Sequence, residues 1–145
     1  MATERRAEAT WNGSLMEGSG RIDTTSSGVL DGKALSWRSR AEGAEAGRTS
    51  PEDLIAAAHA SCFAMALSHG LAQAGTPADE LHTSSTVTFV PGEGITRIEL
   101  TVTGRVPGVD EAAFEQAART AGENCPVSKA LSAVPELELT SISLQ

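Results

Sequence analysis

Two thiols are the first residues to weigh as chemistry. Cys62 stands in His59-Ala60-Ser61-Cys62-Phe63, and Cys125 stands in Asn124-Cys125-Pro126. A cysteine on an Ala-rich run is either a small buried hydrophobe or a nucleophile. The nucleophile is the thiolate, which needs a nearby cation or a helix N-terminus to hold its charge. Cys62 falls in the middle of a predicted helix, where the helix dipole helps little, so its cation must come from elsewhere. Cys125 directly precedes Pro126 at the start of a predicted short helix, a place that favours the thiolate. It is either a helix-flanking residue or a resolving thiol that attacks an oxidised Cys62. His59 and Cys62, three residues apart, share a helix face. Together with Cys125 they would supply three soft zinc ligands. No CxxC or HxxxH spacing accompanies them and no fourth ligand stands out, so zinc is the weaker option. His69 and His82 have no partner pattern.

Pattern and punctuation define the elements that must hold these residues. Residues 10–16, 21–25 and 35–40 read as short extended segments split by Gly and Ser clusters, with Asp31-Gly32 as a hairpin-type turn. A loop follows to Thr49. Ser50 is a candidate N-cap, Pro51 fits the first helical position, and Glu52 and Asp53 sit in the first turn. That helix should run to about Ala74 and stop at Gly75. Its apolar residues lie all round and many are Ala, which suits a central buried helix that another helix can approach closely. Residues 83–90 and 95–106 alternate as a hairpin joined by Pro91-Gly92-Glu93-Gly94. Asp110 caps a second helix to about Gly122, residues 126–133 form a third, and 136–144 are a last strand. The order β-β-β-α-β-β-α-α-β predicts an α+β fold, with a curved antiparallel sheet around the first helix.

Composition narrows the partners. The chain has 145 residues, which suits a single domain spanning 1–145. Its 11 basic and 19 acidic residues leave a formal charge of −8, and only two Trp and three Phe are present. An acidic surface with few aromatics argues against nucleic acid and anionic membranes as partners. The first ten residues carry Arg5 and Arg6 with no apolar run behind them, so no secretory signal is read. The stretch 54–74 is interrupted by His59, Ser61, Ser68, His69 and Gln73 and reads as a buried helix rather than a membrane span. A cytoplasmic location is the expectation, and there a structural disulfide is uncommon.

The residues around both thiols resemble a known family. The run 49–67, which contains Ser50-Pro51-Glu52-Asp53 and His59-Ala60-Ser61-Cys62-Phe63, is similar to the first cysteine motif of the OsmC/Ohr family. Asn124-Cys125-Pro126-Val127-Ser128-Lys129-Ala130-Leu131 is similar to its second. Trp11-Asn12-Gly13, Ser27-Gly28-Val29-Leu30 and Arg40-Ala41-Glu42-Gly43 match the OsmC branch in order and spacing. The likeness covers nearly the whole chain. It implies a thiol peroxidase for organic hydroperoxides, with Cys62 as the peroxidatic nucleophile and Cys125 as the resolving thiol. It implies Glu52 as the motif carboxylate and an active-site arginine, Arg40 by the OsmC pattern or Arg21 by the Ohr pattern, with Arg40 preferred. It further implies an OsmC-like fold in an intertwined homodimer, a dithiol reductant of lipoyl type, and no cofactor. Taken singly, Glu52 is an ordinary first-turn carboxylate and Arg40 a solvated strand-end charge. Phe63, Met65 and Leu54 around the thiol would suit an alkyl tail. The competing reading on the same scaffold is a non-enzymatic redox-sensing or small-ligand-binding stress protein.

One inference needs only helix geometry. Ten residues of helix place Glu52 and Cys62 about 15 Å apart along the axis and about 80° apart around it. Either an extended arginine bridges them, or the Glu and Arg of one chain serve the Cys of a second. The Ala-rich helix favours the second arrangement, with two copies packed about a twofold axis.

Overall fold

The computed structural model describes all residues, Met1–Gln145. The chain divides into two compact units, 1–54 and 55–145.

In the first unit, β1 (Ala7–Asn12) pairs antiparallel with β2 (Ser19–Thr25). Strand β1 ends sooner than expected because Asn12-Gly13 breaks it. Gly13 adopts φ +87°, and the Gly18 N–H donates to the Ser14 carbonyl at 2.8 Å to close the turn. The Asp31-Gly32 turn forms as read. Gly32 has φ +75°, and the Asp31 carboxylate accepts from the Thr25 N–H at 2.7 Å. It leads into β3 (Ala34–Leu35), which pairs antiparallel with β2.

The extended segment expected over 35–40 stops at Leu35. A short helix, α1 (Trp37–Ala41), replaces it. Ser36 is its N-cap: its hydroxyl accepts from the Ser39 N–H at 2.9 Å, and the Ser36 N–H donates to the Ser39 hydroxyl at 3.2 Å. This is a reciprocal capping box with Ser in place of the usual Glu or Gln, so its signal is faint in sequence. Because α1 carries the chain across, the next strand, β4 (Arg48–Thr49), joins β3 in parallel. Helix α2 (Pro51–Gln73) then starts as the sequence indicates, with the Ser50 hydroxyl accepting from the Asp53 N–H at 3.1 Å. Ile22 is the one buried apolar side chain of this unit, whereas Trp11, Leu15, Met16 and Val29 are exposed.

The second unit takes most of α2 and adds β5 (Glu80–Val90), β6 (Gly94–Arg105), α3 (Glu111–Asn124), α4 (Pro126–Ala130) and β7 (Glu136–Leu144). Strands β5 and β6 form the expected hairpin, turning on Gly92 and Gly94 at φ +87° and +95°. Strand β7 lies parallel to β6, because α3 and α4 return the chain to the end where β6 began. The α+β class stands, with four helices. The strands are shared between two sheets, each with one parallel pairing, instead of one antiparallel sheet.

The core of this unit joins Phe63, Leu67 and Leu71 of α2 to Leu100 and Val102 of β6 and to Phe114, Ala118 and Ala121 of α3. His59, Phe63, Leu67 and Leu71 recur every four residues and form the one buried stripe of α2 beyond its first turn. The other side, with Ala57, Ala58, Ser61, Met65 and Ala72, is exposed within one chain, so the all-round apolar pattern is only half buried. Helix α2 is also the one helix long and apolar enough by length and composition to cross a membrane.

Gly104 sets the approach of α3 to β6. A Cβ there would stand 2.7 Å from Phe114 Cε2, and that ring is 1% exposed and has little room to move. Gly104→Ala should therefore destabilise the protein by about 1–3 kcal/mol through overpacking. A lowered urea midpoint with an unchanged denaturant slope is the expected readout.

Candidate active site

The second unit brings the two cysteines together. Cys62 projects from the middle of α2 and is half-buried, while Cys125 links α3 to α4 and is fully buried; both are free thiols. Cys125 closes one helix and opens the next: its N–H donates to the Ala121 carbonyl at 2.8 Å, and Pro126 occupies the first position of α4. Each thiol shifts the titration of the other, so the sulfurs are neighbours.

Their environments are unequal. Burial pushes the Cys62 thiol up, its interaction with Cys125 adds to this, and the Val127 N–H opposes it. Burial would also push Cys125 up. Against it stand the interaction with Cys62, the Ser128 N–H and hydroxyl, and the Val127 N–H, and together they hold Cys125 below its ordinary range. With α4 only five residues long, the help comes from these individual dipoles rather than from a helix macrodipole. In a single chain the negative charge is therefore better held on Cys125.

His59 lies on the same helix, three residues before Cys62, and is fully buried. Its Nε2 meets the Ser128 hydroxyl at 2.7 Å. Burial lowers its pKa, so the ring is neutral. His59 Nε2 is engaged by Ser128. The sequence reading passed over Ser128. Its signal was the position three residues after Cys125, the place in a helix where a side chain meets its cap.

The first unit holds the second pair. Arg40, on α1, reaches Glu52 in the first turn of α2 through two guanidinium nitrogens. Nε donates to Oε1 at 3.1 Å and to Oε2 at 3.3 Å, and Nη2 donates to Oε1 at 3.0 Å. The Glu52 side chain is 9% exposed, that of Arg40 35%. Helix α1 is itself fixed, since the Ser39 hydroxyl donates to the Thr49 carbonyl at 3.0 Å. Arg21, the other candidate, points its Nε at Asp23 at 2.6 Å on an exposed strand. Of the two arginines, Arg40 is the one paired with Glu52.

The apolar surroundings expected around Cys62 do not converge. Phe63 is packed in the core, Met65 is 73% exposed, and Leu54 is half-buried. A cavity of about 400 Å³ does occur in the second unit, walled by Leu100, Leu137, Leu139, Ser128 and Lys129.

These features agree with comparisons to known proteins. The family model described as OsmC-like protein matches residues 43–140. The chain is 38% identical over 136 residues to Peroxiredoxin OsmC of Escherichia coli (strain K12), spanning 92% of this chain and 93% of that protein. The same figures hold for Peroxiredoxin OsmC of Shigella flexneri. Among solved structures it is similar to an organic hydroperoxide resistance protein from Elizabethkingia anophelis, with TM-score 0.69 and 25% identity over 100% of both chains. It is also similar to the organic hydroperoxide resistance protein OsmC from Legionella pneumophila, with TM-score 0.65 and 26% identity over 95% of this chain and 96% of that one. For OhrB of Bacillus subtilis the TM-score is 0.61 and the identity 26%, over 97% and 98% of the two chains.

The buried His59 has a measurable consequence. Its folded pKa lies below the ordinary 6.5, so the unfolded chain binds more protons just below that pH. The stability this neutral ring contributes is complete above about pH 6.5 and falls as the solution is acidified toward the folded pKa. Urea midpoints measured across that range should decline with acid, and His59→Gln should flatten the decline.

Proposed function

This chain belongs to the OsmC family, and on that premise we propose that it is a thiol peroxidase that reduces organic hydroperoxides to alcohols. The observation that carries the reading is the juxtaposition of Cys62 and Cys125, two free thiols on different elements beside each other. The whole chain acts as one domain of this family.

The Cys62 thiolate attacks the distal oxygen of the hydroperoxide. The O–O bond breaks, Cys62 becomes a sulfenic acid, and the departing alkoxide takes a proton to leave as the alcohol. The Cys125 thiolate then attacks the Cys62 sulfur. The S–O bond breaks, hydroxide takes a proton to leave as water, and a disulfide remains. A dithiol supplies two electrons through two thiol–disulfide exchanges and restores both thiols. A reductant of lipoyl type suits this step, because its own product is a stable cyclic disulfide.

Cys62 needs a cation for the first step, since its thiol is pushed up within one chain. Arg40 supplies it, lowering the thiol pKa and donating to the peroxide, while Glu52 fixes the guanidinium plane through the two-nitrogen contact. Ten residues of α2 separate Glu52 from Cys62, about 15 Å along the axis. The Arg40–Glu52 pair of one copy therefore serves the Cys62 of another in a homodimer. Two observations support the second copy: the exposed Ala-rich side of α2, and a first unit whose one buried apolar side chain is Ile22 while Trp11, Leu15, Met16 and Val29 stay exposed.

With cumene hydroperoxide and a dithiol, Cys62→Ser should abolish turnover, and Cys125→Ser should give one turnover and then stop. Arg40→Ala should slow the first step by about 100-fold, the scale of losing a positioned donor in a dry site, while Arg21→Ala leaves it unchanged. The reverse result for the two arginines overturns the assignment of Arg40. Stoichiometric oxidation without turnover, under any dithiol, marks a redox sensor instead. Composite sites make a separate prediction. Cys62→Ser and Glu52→Ala homodimers are both inactive, yet exchanging their chains should restore activity, because each mixed dimer keeps one intact site. Mixtures that stay inactive after confirmed exchange place Cys62 and Glu52 of each site on one chain.

A further inference from the structure

The cavity of about 400 Å³ in the second unit has no part in the steps above, and neither cysteine lines it. Its volume falls within the range of small-molecule sites, about 300–1,000 Å³. Leu100 of β6 and Leu137 and Leu139 of β7 supply an apolar floor, and Leu100 is 1% exposed. Ser128 of α4 adds a buried polar wall. An apolar lining with a few placed polar groups is the usual form of a site for a small organic ligand.

The charged side chains on the lining define the kind of ligand. They are Arg119 and Glu123 of α3 and Lys129 of α4. Arg119 is neutralised on its own helix, where Nη2 meets Glu115 Oε1 at 2.7 Å. Lys129 and Glu123 are both exposed and make no ion pair, with each other or with any other side chain. Glu136 and Glu138 alternate with Leu137 onto the other face of β7 and are held by Arg97. An anion without a positive charge would be repelled by Glu123, and a cation without a negative one by Lys129. A ligand that carries both charges satisfies both side chains.

Gly122, also on the lining, keeps the space open. A Cβ there would stand 3.8 Å from Leu139 Cδ2 and 3.9 Å from Phe63 Cε2, ordinary van der Waals contact. Its backbone is helical, outside the left-handed region. Glycine is less stable in a helix than alanine. Neither packing nor backbone conformation therefore calls for glycine here. What a side chain would take is the cavity.

We propose that this cavity binds a small zwitterion with an apolar side chain, an apolar amino acid or a dipeptide of such residues. The ligand's carboxylate sits on Lys129, its ammonium on Glu123, and its side chain on Leu100, Leu137 and Leu139. Two charge-assisted contacts at opposite ends fix its orientation as well as its affinity. The site goes beyond the peroxidase reading and does not depend on it.

Leucyl-leucine and free leucine are the probes, titrated into the full chain while backbone amide signals are followed by nuclear magnetic resonance. Saturable shifts centred on α3, α4, β6 and β7 are expected, and the tighter probe tells a dipeptide site from an amino-acid site. N-acetyl-leucyl-leucine lacks the ammonium, and leucyl-leucine amide lacks the carboxylate. Each should bind about fivefold more weakly than leucyl-leucine, the upper scale for an exposed ion pair. Lys129→Met should weaken leucyl-leucine about fivefold and leave the amide unchanged, and Lys129→Arg should restore the parent value. Glu123→Gln should weaken leucyl-leucine similarly and leave the acetylated peptide unchanged. Gly122→Ala should raise the urea midpoint while weakening the binding. Absence of saturable shifts for both probes in the folded chain overturns the proposal. So does equal binding of the acetylated or amidated peptide, or a Lys129→Met effect as large on the amide as on leucyl-leucine. Hydroperoxide turnover should be the same in Lys129→Met and Glu123→Gln as in the parent chain. A parent that binds leucyl-leucine but consumes no hydroperoxide defeats the peroxidase reading and leaves this site standing.

Discussion

A thiol halfway along a helix receives nothing from the helix that carries it. The backbone amides around Cys62 are already bonded within α2, and the end charges are remote. Desolvation then favours the protonated, unreactive form. Much of the rest of the molecule makes sense as an answer to that constraint. The stripe His59-Phe63-Leu67-Leu71 anchors α2 in the core of the second unit, which fixes where the sulfur points. The crossover through α3 and α4 sets Cys125 against it. More dipoles act on that second cysteine than on the first.

The first unit holds a fixed arginine of its own. A guanidinium is useful near a thiol only if its plane is fixed and its charge is not dissipated into water. Small devices accomplish this: a serine capping box on α1, a hydroxyl tied to the Thr49 carbonyl, and a carboxylate at the start of α2 that is almost out of solvent. None involves a large hydrophobic residue, which fits a unit whose one buried apolar side chain is Ile22. Hydrogen bonds and caps here do the orienting that side-chain packing does in the second unit.

Much of the fold and of the chemistry was legible from residue order. The start of α2 at Ser50-Pro51, the β5–β6 hairpin with its two glycines, the Cys125-Pro126 junction and the β7 span all follow local rules that sequence exposes directly. Helix α1 was missed because Ser39 stands where a glutamate would have advertised the cap. The division into two sheets was missed because parallel pairing depends on where a crossover returns the chain, a long-range matter. At the site, the two thiols stand out by their own contexts, while Arg40 and Glu52 follow from the family resemblance and singly read as ordinary charges. Ser128 carries only a faint signal, its place three residues after Cys125, and becomes meaningful once a buried histidine from 69 residues away is seen to touch it. The alkyl-binding role expected of Phe63 failed for a similar reason: periodicity places it on an apolar face but does not say whether that face is core or pocket.

The unequal burial of the two sulfurs would give the proposed cycle a polarity. In the disulfide form, an incoming dithiol can reach only the sulfur that is partly open, which is that of Cys62, since Cys125 is 0% exposed. In the proposed cycle the mixed disulfide with the reductant forms on Cys62, and Cys125 departs as the leaving group. Leaving groups of low pKa depart faster in such exchanges, and Cys125 is the thiol whose pKa the protein lowers. Its depth also shields it from bulk oxidants.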